Sequence, residues 1–193
     1  MPIWAYVIIA IAVVAAVALA AGALLMRRRS NRLRGTFESE YDRTLARTGG
    51  RREAEHELLD REKRRERLNI RPLSAAARER YAEEWRQTQA DFVDSPELAV
   101  SRANTLVENV MNDRGYPVTD FEEQAAVISV DHPDVVQNYR SAHGISVSAG
   151  EASTEDLRRA MRHYRSLFEE LLGEADGGND RYADEPALAA RGE

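Results

Sequence analysis

The chain has no cysteine, and Lys63 is the only lysine among its 27 basic residues. Without cysteine there is no disulfide framework and no thiolate metal site, which fits a reducing compartment. The near-absence of lysine, with abundant alanine, reads as the codon bias of a GC-rich bacterial genome. Phosphate-cradling G-x-x-x-x-G-K and G-x-G-x-x-G arrangements are missing, as are H-x-x-x-H and H-E-x-x-H pairs. Strand signals are nearly absent too. Val127 to Val130 and Ile145 to Val147 are the only strand-like fragments, both too short to make a sheet. Net charge over 193 residues is −6, unevenly spread, with the region from Leu73 onward acidic. An acidic domain lacks the basic footprint that nucleic acid demands, so no nucleic acid partner is expected.

What the chain does have is an unbroken apolar run, Ile3 to Met26, closed by Arg27, Arg28, Arg29, Arg32 and Arg34. A helix rises about 1.5 Å per residue, so some 20 apolar residues cross a hydrocarbon core of about 30 Å. Trp4 and Tyr6 stand at one end, where amphipathic aromatics favour the headgroup boundary, and the arginines at the other. A secretory signal is the competing reading, with Ala18-Leu19-Ala20 resembling a cleavage site. No basic side chain precedes Ile3, however, and the run exceeds the usual signal core. An N-terminal transmembrane helix over 3–26 is therefore expected. Five arginines within eight residues resist translocation, which puts the N-terminus outside and the rest in the cytoplasm, single-pass in the inner (plasma) membrane. Those arginines are expected to set membrane topology and to contact anionic lipid headgroups.

Behind the run, residues 27–72 read as a basic juxtamembrane stretch and charged helical connector. Phe37 to Arg47 and Arg51 to Leu68 are dense in Arg and Glu, split by the breaker pair Gly49-Gly50. The apolar positions Ala54, Leu58, Leu59 and Leu68 make only a thin seam, so a solvated spacer is expected rather than a coiled coil.

Residues 73–172 carry helical periodicity throughout. Ser74 caps a helix with Tyr81, Trp85 and Phe92 on one face. Ser95-Pro96 opens the next, which Gly115 stops, so the two form an antiparallel αα-hairpin. Thr119-Asp120-Phe121-Glu122 reads as a capping box. Asp131-His132-Pro133-Asp134 starts a helix that Gly144 ends, and a flexible loop follows to Ala152. Ser153 and Asp156 cap the last helix. From 173 to 193 the composition is that of a disordered acidic tail. The expected fold class is all-α: a transmembrane helix, a charged connector and a small cytoplasmic bundle of about five helices.

Candidate chemistry is sparse. His132, His143 and His163 have no metal-ligand spacing, and a surface or capping role accounts for each. Glu122-Glu123 and Glu169-Glu170 are helical neighbours pointing about 100° apart, unable to share a proton. Tyr81, Trp85, Phe92, Tyr139 and Tyr164 read as core aromatics, with an apolar ligand pocket as the alternative. No catalytic residue, cofactor site or metal site is expected, and hence no enzyme.

The segments Glu79-Arg80-Tyr81-Ala82-Glu83-Glu84-Trp85, Phe92-Val93-Asp94, Arg114-Gly115-Tyr116-Pro117-Val118, Ser129-Val130-Asp131-His132-Pro133 and Thr154-Glu155-Asp156-Leu157-Arg158 resemble a family of uncharacterised, single-pass bacterial membrane proteins typical of actinobacteria. The resemblance covers most of the chain from Arg27 to Leu172. It implies an anchored helical domain and no particular activity. The expected role is a membrane-tethered, non-enzymatic adaptor or scaffold with lipid and another protein as partners. A small-ligand sensor with a pocket in the bundle is the alternative.

Overall fold

The computed structural model describes residues 3–117 and 120–173, with side chains from residue 14 onward. Over these residues the chain is all-α, with eight α-helices, one 3-10 turn and no strand. It divides into two compact units, Met1–Lys63 and Arg64–Glu193. Among the described residues no helix is long and apolar enough to cross a membrane. The side chains of residues 3–13, the first part of the expected anchor, lie outside the described residues, as does the expected tail over residues 174–193.

The first unit begins with α1 (Ile3–Phe37), a single helix of 35 residues that carries the apolar run straight into the arginines. Glu38, at φ 43°, turns the chain into α2 (Ser39–Thr48), which Gly49 closes at φ 71° with its N–H on the Leu45 carbonyl, 3.0 Å away. Only glycine holds that left-handed conformation without a Cβ penalty. α3 (Arg51–Glu66) follows.

The expectation of a solvated spacer fails here. Ala54 and Leu58 of α3 are fully buried, as are Leu33, Phe37 and Tyr41. The helices are tied by polar contacts: Tyr41 Oη donates to Glu55 Oε1 at 3.3 Å and lies 3.4 Å from Ser30 Oγ. Arg61, 5 % exposed, pairs with the fully buried Glu40 at 3.0 Å and also reaches Thr44 and Glu57. A pattern of aliphatic positions does not announce this interior, because aromatic rings and a buried ion pair make up much of it.

In the second unit, α4 (Ala75–Asp91) and α5 (Pro96–Arg114) form the expected hairpin. Their antiparallel sense shows in Tyr81 Oη donating to Asp113 Oδ2 at 2.7 Å near one end and Arg102 pairing with Asp91 near the other. Ser74 Oγ accepts from Ala77 N–H, a helix cap. Ser95 holds the cap position of α5 without a side-chain bond, ahead of Pro96. α6 (Phe121–Asp131), α7 (Pro133–Val147), a 3-10 turn (Ala149–Glu151) and α8 (Thr154–Gly173) complete the unit. The core runs through all of them, with Val100, Val107, Ile128, Val136, Tyr139, Tyr164 and Leu167 at its centre.

Two local expectations are corrected and a third holds. α6 is capped by Asp120, whose carboxylate accepts from Glu123 N–H at 2.9 Å; Thr119 lies outside the described residues. Gly144 does not end α7, which runs on to Val147. A helical glycine costs about 1 kcal/mol against alanine but stops nothing unless it turns left-handed, and half-buried Ile145 keeps the helix on the core. The expected loop shrinks accordingly. At α8, Ser153 and Asp156 exchange bonds: Asp156 N–H donates to Ser153 Oγ at 3.1 Å and Ser153 N–H to Asp156 Oδ2 at 3.2 Å.

Candidate functional site

The five arginines expected at the headgroups divide into two sets. Arg27, Arg28 and Arg29 are exposed along α1 directly after the apolar run. Arg32 and Arg34 are exposed too but have partners within the first unit: Arg32 Nη2 lies 2.9 Å from Glu62 Oε2, and the Arg34 guanidinium sits 4.9 Å from the Tyr41 ring centroid.

The three histidines of the second unit stay apart. His132, 2 % exposed at the corner between α6 and α7, lies 3.3 Å through Nε2 from Tyr116 Oη and 3.5 Å through Nδ1 from Glu170 Oε1. Tyr116 Oη donates to Asp131 Oδ2 at 2.8 Å, and Arg65 Nε reaches both oxygens of Asp131 at 2.7 and 2.8 Å. Arg114 Nη1 donates to the Leu171 carbonyl at 2.9 Å. These contacts, all within the second unit, join Arg65 to the ends of α5, α6 and α8 around one corner. His143 stacks flat on Phe121, with ring centroids 3.6 Å apart and planes at 6°. Burial pushes its imidazole below the ordinary value, with Glu108 and Glu122 acting in the opposite direction. His163 sits among the arginines of α8, pushed down by burial and then by Arg159 and Arg162. Among the described residues no group of three or more His, Asp or Glu is placed to hold a metal ion.

The adjacent glutamates part as helical spacing requires. Glu122 pairs with Arg140, Glu123 with Arg64, Glu169 with Arg165, and Glu170 faces His132. Tyr81, Trp85, Tyr139 and Tyr164 lie in the core of the bundle, with Phe92 packed against it. Trp85 stacks on Phe168 at 4.6 Å, and Tyr139 meets Tyr164 edge-on at 6.2 Å.

One polar seam was not visible in the sequence. Tyr139 Oη donates to Gln124 Oε1 at 2.9 Å, and Tyr164 Oη to Asn104 Oδ1 at 2.8 Å. Asn104 Nδ2 in turn donates to Glu108 Oε1 at 2.7 Å. Burial drives both phenols far above their ordinary value, and the Glu108 carboxylate adds to the effect. They remain neutral hydroxyls that donate hydrogen bonds, so the seam fixes the register of α5, α6, α7 and α8 rather than moving protons. Gln124 and Asn104 on otherwise apolar helix faces were the available signal. Comparison with family models, curated proteins and solved structures finds no match to this chain.

Proposed function

We propose that the chain is a single-pass membrane protein whose helical units stand on the cytoplasmic side and act as a non-enzymatic adaptor. The observation that carries the anchor is the surface of α1. Val14, Val17, Leu19, Leu24, Leu25 and Met26 are 59–76 % exposed, and at 100° per residue they point around most of the helix circumference. A partner helix covers one stripe; an all-round apolar surface asks for an apolar surrounding. Residues 14–26 alone are too short to span a bilayer, so this reading takes in 3–13 from the sequence. The 24 residues of Ile3–Met26 extend about 36 Å against a hydrocarbon core of about 30 Å. Exposed Arg27, Arg28 and Arg29 then fall at the cytoplasmic headgroups. The resemblance to single-pass actinobacterial membrane proteins points the same way.

The adaptor role draws support from the second unit. Trp85, Tyr81, Tyr139, Tyr164 and His132 are spent on internal ties, while most of the helix surface it presents outward is charged. Crosslinking in native membranes, followed by identification of co-purified proteins, tests this. A reproducible protein partner lost on deletion of residues 73–172 is expected. Recovery of lipid alone would overturn the adaptor role.

A further inference from the structure

We propose that the outer face of α8 is a second membrane contact, a stripe of Arg158, Arg159, Arg162 and Arg165 that lies on anionic lipid headgroups. The proposal rests on the anchored reading, which keeps a bilayer within reach of the domain.

Burial of Leu157, Ala160, Met161, Tyr164, Leu167, Phe168 and Leu171 fixes the rotation of α8. Its opposite face is therefore held toward solvent. On that face the four arginine side chains are 53–68 % exposed. Arg158, Arg162 and Arg165 follow i, i+4, i+7 spacing, one straight stripe about 10 Å long, with Arg159 beside it. No acidic residue occurs from Leu157 to Phe168, in a region that is otherwise acidic.

The arginines do have acidic neighbours along the helix. Arg158 and Arg162 pair with Glu155, Arg159 with Asp156, and Arg165 with Glu169. Exposed pairs of this kind contribute little and exchange readily for a better anion. Guanidinium forks match phosphate oxygens with two parallel bonds. A straight, unrecessed stripe fits a plane of phosphates better than a peptide, which would need pockets between the side chains.

Because the chain lacks cysteine, Thr154→Cys can carry a single environment-sensitive dye at the start of α8, with Ser141→Cys on α7 as control. The full chain is reconstituted in nanodiscs of phosphatidylcholine, with or without phosphatidylglycerol. We expect the Thr154→Cys emission to shift to the blue only in the anionic discs. High salt should abolish that shift, and so should Arg158→Gln/Arg162→Gln/Arg165→Gln, which alters exposed side chains only. The Ser141→Cys emission should stay constant. Equal emission in both discs, or a shift retained by the triple variant, would overturn the proposal. So would a shift produced by a polyglutamate peptide in neutral discs with none in anionic discs, which assigns the stripe to an acidic protein. Failure to enter neutral discs, read by size exclusion, counts against the anchor alone. The stripe is then read from the same dye on added anionic vesicles. There a blue shift lost in the triple variant supports the lipid contact, and an unchanged emission overturns it.

Discussion

Gly115→Ala should be among the most damaging single-methyl additions in the second unit. Gly115 ends α5 at φ 98°, with its N–H on the carbonyls of Asn112 and Met111. Tyr116 N–H closes the cap on Met111 O at 2.9 Å. A left-handed conformation costs an L-residue with a Cβ about 1–2 kcal/mol. A second cost is steric: the added Cβ would lie 2.6 Å from the Asn69 carbonyl oxygen and 3.4 Å from its carbon. That neighbour is backbone, held close by the hydrogen bond from Arg71 N–H to Arg114 O at 2.9 Å. Relieving the contact means giving up that bond, worth about 1 kcal/mol net, so the sum is about 2–3 kcal/mol. Gly115→Asn separates the two parts, because asparagine tolerates the left-handed conformation but still carries a Cβ. Urea unfolding followed by Trp85 fluorescence in a Trp4→Phe background reads both variants. Asparagine should recover part of the loss and remain about 1 kcal/mol below the parent. Full recovery by asparagine, or an alanine variant within about 0.5 kcal/mol of the parent, would refute the close-approach argument.

Other consequences follow from the packing. Phe168→Ala removes the ring stacked on Trp85 and should cost about 3–5 kcal/mol in the same assay, with a red-shifted native emission. Arg61→Met leaves Glu40 buried beside an apolar chain and should cost about 3–5 kcal/mol, whereas Glu40→Leu/Arg61→Met together should recover most of it. His143 is pushed down by burial, so the unfolded chain binds protons more readily and stability falls as pH drops below about 6.5. His143→Phe keeps a ring on Phe121 and should reduce the loss of stability between about pH 7 and 5, leaving the part due to His163. Asp156 is held below its ordinary value first by the Ser153 hydroxyl bond. Its contribution is present above the unfolded carboxylate value and lost as pH falls through the folded one. Ser153→Ala should therefore narrow the stability difference between neutral pH and about pH 3, measured by thermal unfolding.

The features legible in the sequence were those decided within a few residues. Ser74, Ser153 with Asp156, Gly49 and Gly115 all do what their local chemistry dictates, because a cap or a left-handed residue needs nothing from the rest of the fold. The hairpin of α4 and α5 followed from the short junction at Ser95-Pro96. Where tertiary contacts decide, local patterns misled. Gly144 reads as a stop until half-buried Ile145 is seen to hold the helix on the core. The charged connector reads as solvated until Arg61 meets Glu40, 21 residues earlier. The bonds of Tyr139 to Gln124 and of Tyr164 to Asn104 likewise join residues of four helices, and no spacing within one helix announces them. The histidines read as surface or capping residues from spacing alone; His132 is instead buried against Tyr116, and His143 stacks on Phe121.

Membrane anchoring by α1 is the central claim, and alkaline carbonate extraction of native membranes tests it most directly. An integral span is predicted to keep the full chain in the membrane pellet, and a chain lacking residues 3–26 to appear in the supernatant. Quantitative release of the intact full chain by carbonate would contradict the anchored reading, and the exposed apolar surface of α1 would then belong to a protein partner.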